Sequence, residues 1–402
     1  GLVGSEMCIR DRYNTPAMNT DATHPQPEWT RWISWIPWAL ALTGLGYLVG
    51  LTLWLGITGL FFPYQLDYGE GTMLHFVQEL SKGHGIYRTP GGYPHITANY
   101  APLTLILGLI LTPVFGMTYT AGRVWTLLAI ASIAYLLVAW VRREGGPWLP
   151  ALAAGLLFVG APYIYHWAPL YRVDLIGLAL TLGGLYAVYL ASQPANPRGG
   201  SPTEEPGLKK GYLWLAAILF VAALYAKQTF FFAPAAALIY LFFFVARRHA
   251  IKMGAIMAVL GGGLFLLINI LTGGGFWYGL VVSNVNPFLW PAFWAQQASF
   301  FGTFAILCLL AVWYVVDKFG LERATPFREK VSILDIYLPV ALASVLLAGK
   351  AGAWENYFYE ALAVLALCAG LGLARLGRHG RLPYQVAAPL LVLAQVALMW
   401  YT

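Results

Sequence analysis

The chain has 402 residues, of which 59% are hydrophobic and 10% charged, with a formal net charge of +7. A soluble domain carries roughly 25% charged residues, so this composition excludes an ordinary water-soluble fold. The basic residues fall in short segments between apolar runs, where they orient membrane spans, and this argues against nucleic acid as a partner.

In chain order, residues 1–12 resemble translated sequencing-adapter sequence. Residues 1–17 are therefore expected to be a non-native leader, with the natural start at Met18 and a cytoplasmic segment over 18–37. Apolar runs of bilayer-crossing length follow at 38–62, 124–141, 148–167, 175–191, 212–226, 230–246, 254–271, 300–316, 331–348, 357–374 and 384–401. Strict alternation is absent, which argues against a β-barrel. The expected fold is an all-α polytopic membrane protein, a single domain over 38–402 with about eleven transmembrane helices. The sequence stops at the close of an apolar run, and the natural chain is expected to continue.

The run 101–116 is short and holds Pro113. If it crossed, every later loop would change sides. The loops around Arg142, Lys209, Arg247, Lys318 and Arg375 hold most of the positive charge. Lys82, Arg88, Arg123, Arg172, Lys227 and Lys350 fall at the opposite ends of the spans. The positive-inside bias then predicts that 63–122 is one long outer loop, with 101–116 re-entrant or lying against the bundle. The Pro-, Gly- and Ser-rich stretch 192–210 reads as a flexible cytoplasmic linker.

Cys308 and Cys368 lie inside apolar runs, and with Cys8 they form no CxxC pair. His75, His84, His95 and His166 have no ligand spacing, so no metal or other cofactor is expected. The outer side collects Asp67, Glu70, Glu79, Asp174, Glu355 and Glu360. The sharpest local pattern is Leu66-Asp67-Tyr68-Gly69-Glu70-Gly71, directly after the first span. Asp67 and Glu70, three residues apart, would share a helix face. The stretch 72–82 sets Met73, Phe76, Val77 and Leu80 against Gln78, Glu79, Ser81 and Lys82, which predicts an amphipathic helix on the membrane surface. A carboxylate held there can take a proton from a hydroxyl nucleophile. The plainer alternative is that Asp67 caps the helix. Aromatic residues over 276–294 read as an interfacial belt.

These motifs continue in a recognisable order: Gly83-His-Gly85-Ile-Tyr87, Ala98-Asn-Tyr-Ala-Pro-Leu103, Ala121-Gly-Arg123, Tyr171-Arg-Val-Asp174, Lys227-Gln-Thr229, Asn284-Val-Asn-Pro-Phe288 and Lys350 through Glu360. The ordered set resembles the GT-C class of membrane glycosyltransferases. It is similar above all to bacterial enzymes of the protein O-mannosyltransferase, lipid A aminoarabinose transferase and Rgt lipopolysaccharide-core transferase kinds. The resemblance implies a GT-C-like bundle in the bacterial inner membrane. It implies inverting transfer of a sugar from a polyprenyl-phosphate donor to a glycan, lipid or protein acceptor on the outer face. The family's first-loop carboxylate carries over to Asp67, with Glu70 as the second acid at a different spacing, and its second outer-loop acid to Asp174. The leaving phosphate would need cations or donors. Arg123, Lys227, Arg172 and Lys350 are the candidates, with Asn99, Tyr100, Gln228, Glu355, Asn356 and Tyr357 as further substrate contacts. The rival expectations are a lipid-linked sugar or small-molecule transporter without catalysis, and a non-catalytic membrane subunit. Neither broken midplane spans nor repeat symmetry favours the transporter.

Overall fold

The computed structural model describes residues 28–89, 96–193, 209–321, 325–378 and 382–401. The expected leader, residues 18–27, the linker positions 194–208 and His95 lie outside the described residues. All the regular elements described are helices: α1 (Glu28–Leu60), α2 (Tyr68–Ser81), α3 (Leu103–Phe115), α4 (Thr120–Arg143), α5 (Trp148–Val159), α6 (Asp174–Ser192), α7 (Lys210–Ala226), α8 (Phe232–Tyr240), α9 (Arg247–Leu271), α10 (Trp290–Thr303), α11 (Ala305–Val316), α12 (Ile333–Ser344), α13 (Tyr359–Arg378) and α14 (Leu382–Trp400).

Every expected apolar run carries helix. Among the described residues six helices are long and apolar enough to cross a bilayer, and the pair α10 and α11, bent by 71°, makes a seventh span if counted as one. The runs 148–167, 212–226, 230–246 and 331–348 hold shorter apolar helices. In an apolar solvent a helix satisfies its own backbone, which is why these sequences resolve into helices rather than sheet.

Helix α13 forms the centre and is buried along nearly its whole length. Its small residues permit this. A Cβ on Gly370 would press on Ala154 of α5 and on the Pro150 carbonyl, and one on Gly372 would press on the Leu310 carbonyl of α11. Small residues at helix contacts let backbones approach closely enough for dispersion to hold a bundle together in lipid.

The chain leaves α1 and enters α4 at the same end of the bundle. Thr120 Oγ1 donates to the Leu60 carbonyl at 2.9 Å, and Arg123 Nη1 donates to the carbonyls of Gly59 and Phe62 at 2.7 Å each. The 101–116 run therefore does not carry the chain to the opposite end. Its helix α3 lies against α2, α4 and α7.

Helix α2 corrects one expectation. Met73, Phe76 and Val77 are buried, as the pattern requires, but they face protein rather than a membrane surface. They pack with Ile86, Tyr87, Leu105, Tyr171, Phe276 and Leu280 in a second core that holds the 61–119 segment onto the bundle. The residues of 276–294 divide accordingly: Phe276 and Phe293 are buried, whereas Trp277, Trp290 and Trp294 are exposed.

At the opposite end the basic segments are tied by ion pairs. Lys318 Nζ lies 2.6 Å from Asp335 Oδ2, and Arg375 Nη1 lies 2.7 Å from Asp317 Oδ2. Asp335 also closes a capping box with Ser332 at the start of α12.

Candidate active site

The ends of α1, α6, α7, α12 and α13 converge beneath the 61–119 segment. Asp67 is the N-cap of α2. Its Oδ2 accepts from the Gly69 amide at 3.0 Å and from Arg172 Nη1 at 2.8 Å. The capping alternative is therefore realised, but the same carboxylate also takes part in a charge cluster. Asp67 Oδ1 has no hydrogen-bond partner among the described residues, and the side chain is 24% exposed. Gly69 makes the contact feasible, because a Cβ there would collide with the Arg172 guanidinium.

Arg172 links two acids. Its Nη1 holds Asp67, and its Nε lies 3.9 Å from Asp174 Oδ2. Its Nη2 donates to the Tyr100 hydroxyl at 3.4 Å, and its guanidinium stands over the rings of Trp167 and Tyr68. Burial disfavours the charge on Arg172, but Tyr100, Asp174 and Asp67 outweigh that and hold its pKa above the ordinary value.

Asp174 is buried at the first turn of α6. Its Oδ1 accepts from Lys227 Nζ at 2.6 Å and from Asn356 Nδ2 at 2.9 Å. Lys227 caps α7 at its tight turn into α8, and its ammonium lies 4.4 Å from the centre of the Tyr357 ring. Lys350, just past α12, lies close enough to feel the charge of Lys227. Burial first, and then that like charge, push its pKa below the ordinary lysine value. It has no carboxylate partner among the described residues.

Buried polar atoms normally find a partner. Here Arg172 Nε, Asp174 Oδ2, Gln228 Oε1 and Asn356 Oδ1 are buried without one. Three of the four belong to this one group of side chains, and Gln228 follows Lys227 directly in the chain. Three of these atoms are acceptors and one is a donor, so with the Lys350 ammonium alongside they suit a ligand that carries both hydroxyl donors and an anionic group better than a closed structural network.

Not every expected contact residue opens onto this space. Glu70 is fully buried. Its Oε1 accepts from Arg123 Nε at 2.9 Å and the Tyr171 amide at 2.7 Å, and its Oε2 from Arg123 Nη2 at 2.8 Å and the Leu66 amide at 2.7 Å. Arg123 is equally enclosed. The remaining donors go to the carbonyls of Gly59, Phe62 and Tyr64. Both groups are saturated and form a buried tie between α2 and α4, so neither the expected catalytic Glu70 nor the expected phosphate contact Arg123 has an open polar atom here. The expected shared face of Asp67 and Glu70 is absent too, since one points to the cluster and the other into the core.

Asn99 and Tyr100 are held at the backbone. Gln228 Nε2 and Asn284 Nδ2 donate to the Asn99 carbonyl at 3.3 and 3.0 Å, and the Tyr87 hydroxyl donates to the Tyr100 carbonyl at 2.9 Å. Glu355 sits at the rim, accepting from Trp167 Nε1 at 2.7 Å, with His166 Nδ1 at 3.3 Å. The sequence gives no local signal for His166 and Trp167 as site residues, because their shared partner lies 189 and 188 residues away. Glu360 is not among the expected contacts. It is buried behind Asn356, accepts from the Tyr337 hydroxyl at 2.9 Å, and borders a cavity of about 20 Å³ with Thr229, Ser344 and Asn356. No group of three potential metal ligands occurs among the described residues.

No protein-family model matches the chain, and no curated protein matches it by sequence. Solved structures do. ArnT from Cupriavidus metallidurans bound to undecaprenyl phosphate superposes with a TM-score of 0.61 at 15% identity over 81% of this chain and 59% of that one. Its apo state gives 0.62 at 14% identity over 85% and 62%. The archaeal oligosaccharyltransferase AglB from Archaeoglobus fulgidus, in complex with an inhibitory peptide and a dolichol-phosphate, gives 0.58 at 15% identity over 90% and 55%. The chain spans less than two thirds of the length of each. It has the fold of the GT-C class of membrane glycosyltransferases and is a multi-pass membrane protein.

Proposed function

We propose that the chain is a glycosyltransferase that moves a sugar from a polyprenyl-phosphate donor to an acceptor at the end of the bundle carrying Asp67, on the outer face of the bacterial inner membrane. One observation carries this reading: the half-open charge cluster of Asp67, Arg172, Asp174, Lys227 and Lys350, set where the span ends meet. The fold shared with proteins solved with undecaprenyl phosphate and with a dolichol-phosphate supports it.

In the proposed reaction an acceptor hydroxyl attacks the anomeric carbon from the side opposite the phosphate, inverting that centre. The new bond forms as the bond from that carbon to the phosphate oxygen breaks. The electron pair leaves with the prenyl phosphate, which gains a second negative charge. The hydroxyl proton passes to Asp67 Oδ1, the open oxygen of a carboxylate whose other oxygen is anchored. Lys350 and Arg172 meet the developing phosphate charge, and such groups contribute most when they act on charge that appears in the transition state. Lys227 and Asn356 hold Asp174, and Asp174 in turn faces Arg172. Asn99, Tyr100, Gln228, Glu355 and Tyr357 line the space as substrate contacts.

The test is purified protein incubated with a panel of polyprenyl-phosphate sugars and candidate acceptors, with prenyl phosphate release as readout. Release that depends on both substrates is expected. Binding of the donors with no release under any acceptor condition would instead favour a carrier without chemistry.

A further inference from the structure

At the basic end of the bundle, remote from the charge cluster, α7 and the start of α9 enclose a half-open cavity of about 430 Å³. Its lining has two parts. Lys210, His249 and Lys252 supply polar heads, and Leu213, Trp214 and Ile256 supply an apolar wall. The sequence explains why they meet. A tight break at Ala246, extended at φ −158° and ψ 122°, turns the chain back so that α9 begins with Arg247-Arg248-His249 beside the first turns of α7.

Two of the cavity's cations, Lys210 and Lys252, have no acid against them among the described residues. Two acids of the same end are engaged elsewhere, Asp335 by Lys318 and Asp317 by Arg375. Lys210 and Lys252 are both exposed. Two unpaired ammonium groups at the mouth of an apolar, aromatic recess form a site for a molecule that is anionic at one end and apolar at the other. A free anion would gain nothing from Leu213, Trp214 and Ile256, and a neutral lipid nothing from the lysines.

We propose that this cavity binds the headgroup and upper chain of an acidic phospholipid. Basic recesses between helices at a membrane surface suit such headgroups. Lys210 and Lys252 contact the phosphate, while Trp214 lies along the first part of the acyl chain, an amphipathic ring suited to that depth. The site is independent of the glycosyltransferase reading, because it shares no residue with it.

The full-length protein in a neutral detergent tests this by native mass spectrometry and by thermal unfolding with added phosphatidylglycerol, phosphatidylcholine or inorganic phosphate. Retention of phosphatidylglycerol over phosphatidylcholine is expected, with a rise in unfolding temperature. In Lys210→Met/Lys252→Met the affinity for phosphatidylglycerol should fall about tenfold or more. Arg328→Met/Lys330→Met, at the same end but outside the cavity, should leave it unchanged. Equal retention of both lipids, undiminished retention in the lysine variant, or an equal loss in the control variant would overturn the proposal. Protection by inorganic phosphate alone would mark a free-anion site and overturn it as well.

Discussion

Asp67 combines a structural and a chemical duty in one side chain. Oδ2 fixes the start of α2 and holds Arg172, while Oδ1 remains open. Asp67→Asn keeps the size and the capping acceptor but cannot take a proton. Turnover should fall by roughly a hundredfold or more, the range of a lost general base, with the unfolding temperature little changed. Near-normal prenyl phosphate release in this variant would remove Asp67 as the base. Lys350 offers a pH-dependent test. Burial and the Lys227 charge both push its pKa down, so its ammonium is lost at lower pH than that of an exposed lysine. Phosphate affinity should therefore be intact at low and neutral pH and weaken as pH rises through that depressed value. Lys350→Arg, charged throughout, should hold its affinity to higher pH, and Lys350→Met should bind about tenfold to a hundredfold less tightly at neutral pH. Coincident pH profiles for the wild type and the arginine variant would place the phosphate elsewhere.

At the scale of elements, the Glu70–Arg123 tie decides how α2 is seated. Four acceptor sites on one partner and five donors on the other are filled in a buried setting. Breaking one member strands the other, which typically costs about 3–5 kcal/mol. Glu70→Gln and Arg123→Met should each lower the unfolding temperature and the yield of folded protein, and the double variant should lose less than the two single losses added. Activity lost in both with thermal stability unchanged would return these residues to the reacting centre. The sequence read the elements of this region better than their partners. Helix α2, its buried stripe and its start at Asp67 follow from spacing and capping chemistry over a few residues. The Arg123 and Glu70 roles did not, because a charged residue at a span end looks the same whether it meets a ligand or a carboxylate 53 residues away. The facing of Asp174 toward Lys227 was within reach, since both stand at the ends of spans where chain position fixes depth. The orphaned amide oxygens of Gln228 and Asn356 were not, because satisfaction is a property of the packed neighbourhood rather than of a residue type.

At the scale of the molecule, orientation rests on two separate observations. The charge pattern sends the loops around Arg142, Lys209, Arg247, Lys318 and Arg375 to one side, and the fold brings α1 out and α4 in at the opposite end, joined through Thr120 and Arg123. In the proposed orientation the first puts the basic end at the cytoplasm. The second keeps the 61–119 segment, with Asp67, at the other end without a crossing by α3. Ser81 and Phe327 are exposed and belong to opposite ends, so they report orientation directly. In a variant with Cys8, Cys308 and Cys368 replaced, Ser81→Cys should react with a membrane-impermeant maleimide in intact cells. Phe327→Cys should react only after permeabilisation. A cysteine at Thr118, beyond α3, should behave as Ser81→Cys does, because the chain has returned to the same end. Labelling of Ser81→Cys and Thr118→Cys from opposite faces would mean that α3 crosses, and every later loop would then change sides. Labelling of Phe327→Cys from outside, with Ser81→Cys protected, would invert the whole molecule. The charge cluster would then face the cytoplasm, and an outward-facing transferase would be ruled out whatever the donor.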